Sequence, residues 1–233
     1  MQIVPAEQFK QELLRRINDR EFKERTGVHC SDLIYCLNKQ ALRRLKPLPT
    51  SEDNLLLFSL GWATQRWLTG QDEDESGEEQ NGIIVTLDAF HEGVPWELKA
   101  SFQSSERPIE ENQHHIRQVM AQCYITGTTE AYLSRLEIMG DWKSIFKVKG
   151  YKDLTAEDKM AYDLAHRKPT LHAFKLTFTP DELARNWAWL CDRRDKFQHI
   201  LDTSKLLPKV EAIPSGQEFE CGYCPYKGKE CVW

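Results

Sequence analysis

The chain has 233 residues, 40% apolar and 29% charged, with a formal net charge of −5. That length is enough for one sizeable core, alone or with a small appendage. No run of about 18 apolar residues exists, and the first twenty residues lack the apolar stretch of a secretory signal, which excludes a helical membrane span and leaves a cytoplasmic protein as the expectation.

Residues 6 to 19 fit an amphipathic helix, followed by an extended piece from Thr26 to Cys30. Ser31 or Asp32 is placed to cap a second helix through LIYCLNKQALRRLK, closed by Pro47 and Pro49. A third helix is predicted from Leu55 to about Leu68, entered after SEDN. The stretch DEDESGEE, residues 72 to 79, holds six carboxylates and no base and reads as an exposed acidic loop. Without it the net charge is −5 + 6 = +1, so the rest of the surface is compatible with a nucleic-acid partner.

GIIVTLDAF and PWELKASF flank a short glycine-containing link and predict a β-hairpin. Residues 107 to 126 predict a helix ending at Gly127. AYLSRLEI and FKVKGY read as strands on either side of Asp141 and Trp142, 155 to 167 as a polar helical or irregular piece, and HAFKLTFT as another strand. Pro180 opens a long helix to about Leu201. Pro208 and Pro214 then lead to a cysteine-rich tail. There are no internal repeats.

The hairpin carries the chemistry. With Glu92 and Gly93 as a two-residue link, opposed residues sum to 185, so Asp88 faces Glu97 and Thr86 faces Lys99. Alternation then gathers Val85, Leu87, Ala89, Trp96, Leu98 and Ala100 on one face, and Thr86, Asp88, Glu97, Lys99 and Ser101 on the other. Two carboxylates opposed at about 5 Å repel unless a cation lies between them. A divalent metal with oxygen ligands fits that need, and Lys99 is placed to orient or deprotonate a metal-activated water, or to stabilise developing charge. A three-residue link would instead set Asp88 against Trp96 and dissolve the arrangement.

Asp88, then Glu97-Leu98-Lys99, then a helix bearing Gln118, resembles the PD-(D/E)XK nuclease core of the RecB-like branch, over roughly residues 28 to 130. The resemblance implies a mixed sheet flanked by helices. It also implies Asp88, Glu97 and the Leu98 carbonyl as ligands to Mg²⁺ or Mn²⁺, Lys99 assisting water, and Gln118 in support. Two positions depart from the family pattern. Gln65 in GWATQRWL stands where the family has a metal-binding His, with an oxygen still able to ligate a hard cation. The fourth residue after Gln118 is Gln122 rather than Tyr, with Tyr124 displaced to another side of the helix.

Seven cysteines in a reducing compartment point to metal or core thiols rather than disulfides. CGYCPYKGKEC has C-x2-C-x6-C spacing, and SDLIYCLNKQALRRL carries Cys36. Together they resemble the RecB-like members whose four-cysteine [4Fe–4S] cluster takes one ligand from an N-terminal helix and three from the C-terminus. That implies Cys36, Cys221, Cys224 and Cys231 as ligands, with Cys30 the rival to Cys36; spacing alone leaves zinc open. The cluster would close a loop of about 190 residues. The expected organisation is a nuclease domain over 1–207 and an iron–sulfur segment over 208–233. Cys123 and Cys191 read as core thiols.

Size and cysteine plan resemble the CRISPR-associated Cas-four exonuclease family. This implies metal-dependent digestion of single-stranded DNA ends or overhangs, trimming before spacer integration, and CRISPR integrase subunits as partners. A repair or phage recombination exonuclease of the same fold, and a DNA-end-binding subunit with a decayed site, are the alternatives. His114, His115, Arg43, Arg44, Lys46, Trp62, Trp67, Trp187 and Trp189 could meet DNA, but solvated or core positions explain them as well.

Overall fold

Fourteen helices and strands follow in chain order in the computed structural model, which describes residues 4–21, 26–70, 77–101, 108–138, 150–166 and 169–232. They are α1 (Glu7–Glu21), α2 (Cys30–Leu33), α3 (Leu37–Leu45), α4 (Glu52–Thr69), β1 (Glu78–Gln80), β2 (Ile83–Val85), β3 (Ala89–His91) and β4 (Val94–Ser101). Then come α5 (Gln113–Thr126), β5 (Glu130–Glu137), α6 (Ala156–His166), β6 (Thr170–Thr177), α7 (Pro180–Thr203) and α8 (Lys209–Ala212), with short 3₁₀ turns between. No helix among the described residues is long and apolar enough to cross a membrane.

The main sheet has the order β3-β4-β5-β6. β4 and β5 run parallel and the outer pairs antiparallel, so the sheet is mixed. The β4-to-β5 connection passes through α5, as a parallel pair requires. α5 lies on β4 and β5 and is backed by α7. One core joins α2, α3, β2, α5 and α7 around Leu33, Leu37, Leu190, Phe197 and Ile200; a second joins Val119 and Cys123 of α5 to Ala131 and Leu133 of β5. Each buried leucine, valine, isoleucine or phenylalanine among them stabilises the fold by about 1.5–3 kcal/mol.

The hairpin register is the one a two-residue link dictates: Ala89 pairs with Trp96, Phe90 with Pro95 and His91 with Val94. Glu92 (φ +51°) and Gly93 (φ +80°) both take the left-handed conformation that a type I′ turn needs. Upstream the expectation changes. GIIVTLDAF is not one strand: β2 leaves the hairpin and pairs instead with β1 across an Asn81–Gly82 turn that is also left-handed at both positions. Residues 77 to 79 of the expected acidic loop therefore end in a strand, and 72 to 76 lie outside the described residues. The Trp187 indole N–H donates to Asn81 Oδ1 at 3.0 Å and ties this turn to α7.

The second predicted helix is broken. α2 stops at Leu33, Cys36 is the N-cap of α3, and both expected caps are displaced: His29 precedes α2 and Asp32 accepts its N–H at 3.0 Å. Remote side chains hold the break. The Arg193 guanidinium donates to the carbonyls of Leu33, Tyr35 and Ala212, and the Cys36 N–H donates to the Glu220 carboxylate at 3.1 Å. These partners replace the helical bonds that the break gives up. Burial pulls the Arg193 pKa down to about 10. The predicted strand FKVKGY lies outside the described residues up to 149, as do Asp141 and Trp142; Tyr151 begins a 3₁₀ turn.

Candidate active site and cysteine cavity

Strand alternation sends Glu97 and Lys99 of β4 to the side where α5 lies, and Gln118 and Gln122, one helical turn apart, meet them there. Lys99 Nζ donates to Gln118 Oε1 at 2.9 Å and forms an ion pair with Glu97. Gln122 Nε2 donates to Glu97 Oε2 at 2.5 Å and to the Thr86 carbonyl at 3.1 Å. Glu97 and Gln122 are both fully buried, so this carboxylate has exchanged water for one ammonium and one amide. Burial disfavours the Lys99 cation, but Glu97 and Asp88 outweigh it and hold its pKa above the ordinary lysine value. Lys99 is therefore an ammonium at neutral pH.

Asp88 departs from its expected place. β3 begins at Ala89, so Asp88 stands just outside the ladder and does not face Glu97 as a paired residue. Its Oδ2 instead accepts the Leu98 N–H at 2.7 Å, supplying the acceptor that a longer β3 would have provided. Thr86 likewise is not paired with Lys99; its carbonyl serves Gln122. The two carboxylates are thus set on adjacent backbone segments by side-chain bonds rather than by a continuous hairpin. Gln65 is buried on α4, which packs against β4, and its Nε2 has no hydrogen-bond partner among the described residues.

Sequence reasoning underrated three neighbours. Gln122 registers in the sequence only as a missing Tyr. Tyr35 neighbours Lys99, and burial raises its pKa and keeps its phenol neutral. His115 keeps part of its surface while its Nδ1 is sealed from solvent without a hydrogen-bond partner among the described residues. Burial first, then Lys99, His114 and Arg135, lowers its pKa well below the usual histidine value. Neither His114 nor His115 is the solvated side chain expected: the His114 ring lies 5.5 Å from Tyr35 and 6.2 Å from Phe219. Arg44 is engaged by Asp32, Trp187 is buried against Tyr124, and Trp67 is 78% exposed.

Cys36, Cys221, Cys224 and Cys231 line a single cavity open to solvent, with Lys39, Leu42, Glu220 and Lys227. Cys30 lies elsewhere, in the main core beside Leu33 and Ile34, and Cys123 is fully buried under β5. The tail is shaped by Tyr226, which is 1% exposed; its hydroxyl donates to the Lys46 carbonyl at 3.0 Å and its own carbonyl accepts the Cys231 N–H at 3.0 Å. Gly228 (φ +71°) donates to the Cys231 carbonyl at 2.7 Å and closes the loop between Cys224 and Cys231. Burial pushes the Cys36 thiol up to about 11. Among the described residues no group of three or more His, Cys, Asp or Glu side chains is gathered closely enough to hold a metal ion. The four cysteines border one shared space.

No known family's sequence profile matches the chain, and no curated protein does. Among solved structures, the crystal structure of SSO0001 is similar over 93% of this chain and 93% of its own, at 14% identity and a TM-score of 0.53. A phage related exonuclease from Haemophilus somnus 129PT aligns over 78% of this chain and 97% of its own, at 12% identity and a TM-score of 0.41. The first of these likenesses is one of fold: a mixed α/β architecture followed along nearly the whole chain.

Proposed function

We propose that the protein is a metal-dependent deoxyribonuclease of the PD-(D/E)XK type, acting on single-stranded DNA ends. The observation that carries this reading is the joining of Asp88, just before β3, to Glu97 and Lys99 of β4 and Gln118 of α5. Oxygen donors beside a held ammonium suit a hard divalent cation and a phosphodiester together. Asp88 and Glu97, with the Leu98 carbonyl and Gln65 as further oxygens, would hold Mg²⁺ or Mn²⁺. The cation supplies Lewis acidity and a more acidic bound water. Lys99 stabilises negative charge growing on the phosphate and orients water, while Gln118 accepts a hydrogen bond from its Nζ at 2.9 Å and fixes its position.

The donor set of the cysteine cavity suits a soft, multi-iron group. Four thiols surround it, with Lys227 and the Lys39–Glu220 ion pair on its wall. We assign Cys36, Cys221, Cys224 and Cys231 as ligands of a [4Fe–4S] cluster whose part is to staple the tail to α3. Fragment trimming for CRISPR spacer acquisition, beside integrase subunits, is the setting that the sequence resemblance implies.

Anaerobically purified protein mixed with end-labelled single-stranded DNA and Mn²⁺ or Mg²⁺, with Lys99→Ala alongside, tests the reading. Metal-dependent loss of label by the wild type, reduced by about 10²–10⁴ in Lys99→Ala, is expected. Binding of DNA without cleavage in either metal would replace it with a DNA-end-binding role.

A further inference from the structure

Gln122 has no role in the proposed cleavage, yet its contacts span the proposed metal-dependent centre, and the role assigned to it rests on that centre. An uncharged amide at a fully buried position in mid-helix is unfavourable unless its hydrogens are taken up. Both are. The nitrogen of a primary amide carries two hydrogens, and those of Gln122 go to Glu97 Oε2 and to the Thr86 carbonyl. Glu97 sits on β4. Thr86 lies two residues before Asp88, in the irregular stretch between β2 and β3, and Asp88 in turn accepts the Leu98 N–H next to Glu97. One amide therefore clasps the two backbone segments that carry the carboxylates, at the point where no strand pairing joins them. Its remaining polar atom, Oε1, is buried and has no partner in the protein among the described residues. An acceptor is left over on the same amide whose nitrogen meets Glu97.

We infer that Gln122 is the positioning residue of the carboxylate pair. It fixes the orientation of Glu97 and the separation of Glu97 from Asp88, and its Oε1 accepts a hydrogen from water at the site. Side chains that orient metal ligands in this way typically set affinity by about 10–100-fold. A residue that only filled the interior would change stability and leave the affinity of folded protein untouched.

The test is a Mn²⁺ titration followed by the electron paramagnetic resonance of free Mn²⁺, on wild type, Gln122→Met and Glu97→Gln. Met keeps the length and removes every hydrogen bond. Should it fail to fold by circular dichroism, Gln122→Asn keeps an amide one methylene short of Glu97 and reads out the same quantity. The expected result is an affinity about 10–100-fold weaker than wild type, with a matching rise in the Mn²⁺ needed to half-saturate cleavage. Wild-type affinity in a folded Gln122 variant overturns this inference alone. Wild-type protein that binds Mn²⁺ no better than Glu97→Gln overturns it together with the proposed centre.

Discussion

The carboxylate site and the cysteine cavity are built by opposite means. The first is local: the bonds that join Asp88, Glu97, Lys99, Gln118 and Gln122 run between Thr86 and Gln122 in the chain, and the charge on Glu97 is met by Lys99 of the same strand and Gln122 of α5. The second is assembled across the chain, with Cys36 on one side and Cys221, Cys224 and Cys231 on the other. Its frame is Arg193, Glu220 and Tyr226, which reach over 158, 184 and 180 residues respectively to the break and the end of α3. A local site can lose one group and keep its fold. A long-range one fails together with the closure it provides.

That contrast can be broken most forcefully at Arg193. Arg193→Met strips donors from the buried carbonyls of Leu33 and Ala212 and the part-buried one of Tyr35, and each orphaned buried acceptor costs about 1–3 kcal/mol. A loss of at least about 3 kcal/mol in urea unfolding is expected; a change under about 1 kcal/mol would mean that α2 and α3 do not need the remote frame. Lys99→Ala is the local counterpart. Removing one partner of a fully buried ion pair typically destabilises by about 3–5 kcal/mol. Here a quarter of the Lys99 side chain is exposed and Gln122 stays on Glu97, so about 2 kcal/mol is expected by the same measurement.

Cys36→Ser sharpens the comparison from the other side. It should release the tail, seen as faster tryptic cleavage at Lys209, Lys227 and Lys229, while Mn²⁺ binding persists. Loss of Mn²⁺ binding in that variant would show the two regions to be one unit. The smallest effect is electrostatic. With its pKa depressed in the folded state, His115 binds fewer protons there than when unfolded, so its contribution is complete above about pH 6.5 and fades as pH falls below it. The melting temperature of the wild type should drop between pH 7 and pH 5 by about 2–4 °C more than that of His115→Gln. Equal drops would place the titration elsewhere.

The local site was the more legible in the sequence. Glu92-Gly93 sets the register, alternation sets the face of Glu97 and Lys99, and helical spacing brings Gln118 within reach. The break between β2 and β3 was hidden by the apolar run before Asp88. Asn81-Gly82, a strong hairpin signal, was the clue to it, masked by the carboxylates of the acidic stretch just upstream. Gln122 could be seen only as a departure, because its meaning depends on Thr86 and Glu97 both lying beneath it. The interrupted helix at Cys36 could not be read locally at all. LIYCLNKQALRRL is a good helix by pattern, and what interrupts it are Arg193 and Glu220, far along the chain.

The most direct test of this division is single-turnover digestion of end-labelled single-stranded DNA in saturating Mn²⁺ by wild type, Glu97→Gln and Cys231→Ser, each with its melting temperature. Glu97→Gln is expected to stay folded, with a melting temperature lowered about as much as by Lys99→Ala, and to lose cleavage, whereas Cys231→Ser melts lower than wild type and, while folded, still cleaves. Wild-type cleavage by Glu97→Gln would contradict the division and the site on which it rests.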